Sequence, residues 1–166
     1  MTFNLKKAEA KKKLSHLDAE GKVRMVDVSK KTATRRKARA ESFITISDNT
    51  CNLIEKGEIS KGNVEAVVKI AGIQAAKRTW ELIPLCHPLM LDRISVEIVR
   101  EENGYRISVE AENEGKTGVE MEAMTGAAAA ALAFYDMIKG IERGAEIKDV
   151  RLISKEGGKS GKFFRG

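Results

Sequence analysis

The sequence is sparing with proline, cysteine and histidine, two of each in 166 residues, and with aromatics, which make up 5%. Each shortage excludes something. Cys51 and Cys86 stand far apart, no CxxC pair occurs, and His16 and His87 are the only imidazoles. A structural zinc site needs about four such ligands, so none is expected within one chain. Both cysteines read as reduced thiols of a reducing compartment. No apolar run approaches the ~18 residues that a membrane helix requires. The lysines of the opening MTFNLKKAEAKKKL are not followed by the apolar core of a signal peptide, so a cytoplasmic location is expected.

Hydrophobic residues reach 42%, which suits one globular domain with its own core. The net charge of +6 is unevenly placed. Residues 1–39 hold 13 Lys/Arg against 4 Asp/Glu, whereas residues 40–166 hold 17 against 20. The basic excess therefore sits at the N-terminal end, where it suits nucleic acid, phosphate or plain solvation. Residues 1–23 read as a basic, flexible arm and residues 24–166 as a single domain.

Residues 38–46 (ARAESFITI) alternate as a strand does. Ser47 can cap a helix running to about residue 56, and Gly57 ends it. Asn63 can cap a second helix, with Val64, Val67, Val68, Ala71 and Ala75 on one face. That helix must stop near Ile83, before Pro84. Residues 93–100 (RISVEIVR) alternate, Asn103-Gly104 suggests a type I′ hairpin turn, and Tyr105, Ile107 and Val109 alternate after it. An alanine-rich helix is expected from Thr117 to about Arg143, and a last strand at 147–154. The order β-α-α-β-β-α-β predicts an α+β fold, a ferredoxin-like antiparallel sheet covered on one face by helices. Such a fold serves many functions, so function must be read from sites.

Three constellations bear on chemistry. In ELIPLCHPLM (81–90) both prolines stiffen the loop around Cys86 and His87; a structural loop histidine is the plain alternative. On the long helix Glu122, Gly126, Ala129, Ala133, Asp136 and Lys139 fall near one stripe. Its small middle would let a ligand or another chain approach, and Asp136 can reach Lys139. The plain alternatives are sheet packing and a surface ion pair of under ~1 kcal/mol. In SKEGGKSGKFF (154–164) glycines surround Lys155, Lys159, Ser160 and Lys162, a pattern that suits an anion or a frayed tail. Neither Gly115-Lys116-Thr117 nor this segment is a P-loop: Glu110 and Ile153 stand where the first glycine is required. Together these sites fit a phosphate-rich ligand and acid–base chemistry.

The strings MVDVSKK (25–31), TRRKARA (34–40), KGNV (61–64), IAGIQAAKRTWELIPLCHPLML (70–91), GKTGVEMEA (115–123), YDMIK (135–139) and KEGGKSG (155–161) resemble, in order, the cyclic pyranopterin monophosphate synthase family, accessory protein C of molybdenum-cofactor biosynthesis. The resemblance implies conversion of a 3′,8-cyclo-7,8-dihydro-GTP, made by an upstream radical GTP cyclase, to cyclic pyranopterin monophosphate with release of pyrophosphate, a phosphorus–oxygen lyase reaction. It implies Asp136, Lys139 and Lys61 as catalytic residues. Leu85, Cys86, His87, Glu120, Met121 and Glu122 would bind substrate, and Arg36, Lys155 and Lys159 would hold the triphosphate. It implies no cofactor of the protein's own, with magnesium only as a companion of the triphosphate. It also implies a homohexamer, a trimer of dimers with sites at dimer interfaces; we expect Asp136 and Lys139 of one chain to face Lys61 and His87 of a neighbour. Met124 and Gly126 depart from the family's usual leucine and alanine. An RNA-binding module is the competing reading, but its strands offer only Phe43 and Tyr105 for base stacking. A non-catalytic scaffold would leave Asp136, Lys139 and Lys61 without a purpose. No nucleic-acid or membrane partner is therefore expected.

Overall fold

The computed structural model describes residues 20–166, so most of the expected basic arm lies outside the described residues. The elements follow as β1 (Thr34–Thr45), α1 (Asp48–Glu55), α2 (Val64–Lys77), α3 (Thr79–Leu82), β2 (Arg93–Glu101), β3 (Gly104–Gly115), α4 (Glu120–Ile138), β4 (Glu146–Glu156) and β5 (Phe163–Phe164). The strands form one antiparallel sheet in the order β2-β3-β1-β4-β5. The fold is α+β, with β3 inserted between β1 and β2.

The two faces of the sheet differ sharply. On one, Ala38, Ala40, Ser42 and Ile44 of β1 and Ile107, Val109 and Ala111 of β3 are buried against Ala123, Ala127, Ala130 and Phe134 of α4. Ser42 fits there because its hydroxyl donates to the Ala127 carbonyl at 2.9 Å. The opposite face carries ion pairs, most of them between neighbouring strands. Glu112 receives Arg35 at 2.8 Å and Arg93 at 3.2 Å, and Lys37 reaches Glu110 at 2.8 Å, while Arg39 reaches Glu41 of its own strand at 3.0 Å. Strand alternation sends every second residue to that charged face, which explains the polar half of the pattern.

Glycine sets the distance between the two main helices. Gly72 of α2 and Gly126 of α4 face each other, and a Cβ on Gly126 would meet the Gly72 carbonyl at 3.1 Å and Val109 Cγ1 at 2.9 Å. The small middle of the α4 stripe is thus filled by the chain's own α2. The expected face of α2 is corrected as well. Val64, Val68, Gly72 and Ala76 are buried, one every four residues, while Val67 is exposed.

Several boundaries move. Ser47 and Asn63 cap α1 and α2 as expected, accepting from the backbone N–H of Thr50 and Ala66. The second helix breaks at Arg78, where φ reaches −115°, and α3 continues as a single turn. The hairpin loop is Glu102-Asn103, since Glu101 pairs with Gly104, and neither loop residue has positive φ. The type I′ expectation therefore fails. Gly104 is needed for another reason: a Cβ there would overlap the Ile44 carbonyl of β1. α4 spans Glu120–Ile138, shorter at both ends than expected. β1 starts at Thr34, because the basic TRRK stretch lies in the sheet.

Candidate functional site

Two confluent cavities lie where the N-terminus of α4 meets the ends of β1 and β3. The first, about 380 Å³, is walled mostly by apolar groups: Val26, Val28, Leu85, Leu89 and Met121. Cys86, His87, Glu120 and Glu122 also line it. The second, about 860 Å³, gathers Lys30, Lys31, Arg36, Lys116, Lys155 and Lys159, with Thr117, Gly158 and Ser160. Lys31, Thr117, Gly118 and Glu120 line both, so the two form one cleft with an apolar end and a basic end.

Local structure explains this. Pro84 and Pro88 bracket the loop that follows α3 and hold Leu85, Cys86 and His87 half-buried at the apolar end. Val119, at the N-cap of α4, offers no side-chain acceptor, so the helix begins without a side-chain cap. Its first N–H groups and positive dipole end suit an anion. Gly157 and Gly158, both with positive φ, fold the KEGGKSG segment back onto β1.

Glu122 is the most perturbed group of the cleft. Glu122 is 4% exposed and makes no ion pair among the described residues. Burial pushes its carboxyl up to about 7; its own backbone N–H opposes this, and the charge of Glu120 adds to it. Burial also pushes the Cys86 thiol up, with the Glu122 charge adding to it, so this cysteine stays a thiol at neutral pH. At the basic end Lys155 lies 3.7 Å from Glu120 and donates to Ser160 Oγ. Arg36 donates through Nε to the Gly115 carbonyl at 3.0 Å.

Asp136, Lys139 and Lys61 form a separate cluster. Asp136 receives Lys139 Nζ at 2.7 Å and Lys61 Nζ at 2.8 Å, and Lys61 also donates to the Asp136 carbonyl at 2.6 Å. The hydrogen bonds from Lys139 and then Lys61 hold the Asp136 carboxyl down at about 2, and the same contact raises Lys139. Lys61 is placed by the turn that precedes the Asn63 cap of α2. All three side chains are about half exposed.

The structure thus sorts the expected residues into two groups. Leu85, Cys86, His87, Glu120, Met121, Glu122, Arg36, Lys155 and Lys159 share the cleft. Asp136, Lys139 and Lys61 stand at the far end of α4, about 24 Å from Glu120 at the helical rise per residue. One expectation is corrected here: Lys61 joins Asp136 within the same chain, because the α2 N-terminus packs beside the end of α4. Sequence reasoning missed Lys30, Lys31 and Lys116 as cavity residues. Lys116 and Thr117 fail the P-loop spacing yet still line the basic end, and Lys116 donates to the Ser29 carbonyl at 2.9 Å, holding residues 26–31 over the cleft. Among the described residues no group of three or more His, Cys, Asp or Glu gathers as a metal site, and no helix is long and apolar enough to cross a membrane.

Phe43 and Tyr105 lie on opposite faces of the sheet. Phe43 packs under the Arg106 guanidinium on the charged face, whereas Tyr105 is buried against Phe134. The MoaC family model matches residues 25–158, which take in both ends of the cleft and the Asp136 cluster. The chain therefore belongs to the MoaC family, an enzyme family of molybdenum cofactor biosynthesis.

Proposed function

We propose that this protein is a cyclic pyranopterin monophosphate synthase. It converts (8S)-3′,8-cyclo-7,8-dihydroguanosine 5′-triphosphate, supplied by an upstream radical GTP cyclase, to cyclic pyranopterin monophosphate, and releases pyrophosphate. The observation that carries this reading is the two-ended cleft. Its apolar end suits fused rings and holds, in the cavity that His87 also lines, a carboxyl pushed up to about 7. Its basic end collects six cationic side chains for a triphosphate.

The residue chemistry divides accordingly. Glu122 can hold or release a proton at neutral pH and so serves ring opening and closure. Asp136, clamped by the Lys61 and Lys139 side chains, stays ionised and acts as an acceptor, and the same contact holds the proton on Lys139. When the cyclic phosphate closes, a sugar oxygen bonds to the α-phosphorus as the bond to pyrophosphate breaks. Arg36, Lys155 and Lys159 stabilise the charge that the leaving group gains. Magnesium would enter only with the triphosphate, and the protein supplies no cofactor of its own.

A cleft and a catalytic cluster about 24 Å apart in one chain call for a second chain to unite them. We assign the working form as a homohexamer, a trimer of dimers, in which the Asp136 cluster of one chain closes the cleft of its neighbour. The location is cytoplasmic, and neither nucleic acid nor membrane is a partner; Phe43 and Tyr105 on opposite faces leave no shared stacking platform. The test is incubation with the cyclised GTP intermediate. Stoichiometric pyrophosphate release supports the reading, and its absence in the presence of intact substrate refutes it.

A further inference from the structure

Six cations line the basic end, and two of them are held by backbone carbonyls: Lys116 by that of Ser29 and Arg36, the one guanidinium, by that of Gly115. Arg36 donates through Nε to the Gly115 carbonyl at 3.0 Å, and its two Nη groups make no hydrogen bond or ion pair among the described residues. A third wall is the C-terminal turn: Gly158, at φ +74°, leaves open the space that a Cβ would take from Arg36 Nη1. Gly157 presses the same turn onto β1, where a Cβ would overlap the Arg35 carbonyl. The guanidinium therefore sits between the end of β3 and a turn of two glycines.

Directly across the sheet from Arg36 stands Asn113. Cross-strand partners project to the same face with their Cβ atoms about 5 Å apart. Asn113 is 2% exposed, yet its Oδ1 has no hydrogen-bond partner. A buried acceptor left alone is unfavourable, and a polar side chain kept there needs a reason. The amide also accounts for Gly115, since a Cβ at that position would lie 2.5 Å from Asn113 Nδ2. Neither the fold nor the charged cluster at the other end of α4 uses this amide.

We propose that Asn113 is a positioning residue for Arg36, and that Asn113, Gly115 and Gly158 together form a seat that orients the guanidinium to grip the phosphate that leaves. The orphan Oδ1, unpartnered in the free chain, becomes the acceptor for an Nη–H turned away from the ligand once phosphate draws the guanidinium into place, and the opposite edge of the fork then meets phosphate as a bidentate donor. The lysines around it supply point charges and not a planar fork. The assignment of a phosphate ligand rests on the function proposed above; the internal geometry of the seat does not.

The experiment is a double-mutant cycle read by calorimetric binding of inorganic tripolyphosphate to the full chain. Asn113→Leu removes the acceptor at similar volume, and Gly158→Ala closes the seat from the other side without touching Asn113. Each should weaken tripolyphosphate binding about tenfold, the size of one hydrogen bond to a charged group, in the presence of Arg36. In an Arg36→Ala background each should change binding less than about twofold, since a residue acting through Arg36 has nothing left to position. With the cyclised GTP intermediate the same variants should raise KM more than they lower kcat. Equal losses with and without Arg36 overturn the proposal, as does a wild-type chain that fails to bind tripolyphosphate. Tripolyphosphate binding that follows the cycle, in a chain that releases no pyrophosphate from the cyclised intermediate, keeps the seat and refutes the proposed reaction instead. Should Asn113→Leu fail to fold, Asn113→Ala, which removes the same acceptor without added apolar bulk, enters the same cycle and carries the decision on Asn113.

Discussion

Glu122→Gln isolates the consequence of burying a carboxyl without a cation. The folded-state value of about 7 lies above the ordinary 4.5, so between these limits the folded chain holds more protons than the unfolded one. The contribution of Glu122 to stability is therefore full below about pH 4.5 and is lost as pH rises through about 7. At ~1.4 kcal/mol per pH unit the loss amounts to about 3 kcal/mol once the carboxyl is ionised in both states. Glutamine keeps the shape and polarity of the protonated acid and has no charge to bury. The variant should match the wild type near pH 4 and exceed it near pH 8.5, by up to about 3 kcal/mol or roughly 6–12 °C in Tm for a chain of this size. Thermal unfolding of both proteins at one protein concentration and several pH values measures this directly. If the Glu122→Gln difference is the same at both ends of the pH range, Glu122 is not held near neutrality and its role as a proton carrier falls with it.

Three further outcomes are expected. Lys155→Ala and Lys159→Ala should each weaken triphosphate binding, and added salt should weaken it in every variant; binding indifferent to both would remove the basic cavity from the site. Gly126→Ala should destabilise the fold by about 1–3 kcal/mol in urea titration, because its Cβ would press on Val109 and on the Gly72 carbonyl; an unchanged midpoint would mean that α2 and α4 have room to spare. Asp136→Asn and His87→Ala chains, each inactive alone, should regain part of their activity when dissociated and reassembled together. A mixture that stays inactive places the whole site in one chain.

Periodicity placed the elements because burial follows it. Ile94, Val96 and Ile98 alternate along β2, and Ser47 and Asn63 cap the two helices they announce. It misplaced details that depend on another part of the chain. The TRRK start of β1 carries no apolar alternation, since Arg35 and Lys37 face acids of β3 on a surface without helices, while Arg36 faces the cleft. Gly104 looked like a turn residue, yet what demands glycine there is the backbone of β1. The α4 stripe looked open to a ligand because only α2 reveals that Gly126 is already covered. Candidate residues were legible from residue type and from family resemblance, but their division between two ends of one helix was not. Nor was the orphan amide of Asn113, which reads as an ordinary strand residue until its cross-strand neighbour is known.

That division gives α4 a chemical meaning. Two of the helix's three acids, Glu122 and Asp136, are driven in opposite directions by their surroundings. Glu122, in the first turn, is buried without a cation and rises to about 7; Asp136, near the last turn, is half exposed between two ammonium groups and falls to about 2. Acids separated in this way can take different roles at one pH, the higher one moving protons and the lower one remaining charged. The ring rearrangement proposed above would use both, because a proton must be delivered at one atom while positive charge is balanced at another. Within one chain the rigid helix keeps these roles about 21 Å apart, too far for a single substrate to use them together. A neighbouring copy can bring its Asp136 cluster to the Glu122 end, and the alanine-rich middle then serves as a spacer whose length sets the match. Activity should therefore disappear on dilution to the monomer even where the fold and the tripolyphosphate site survive.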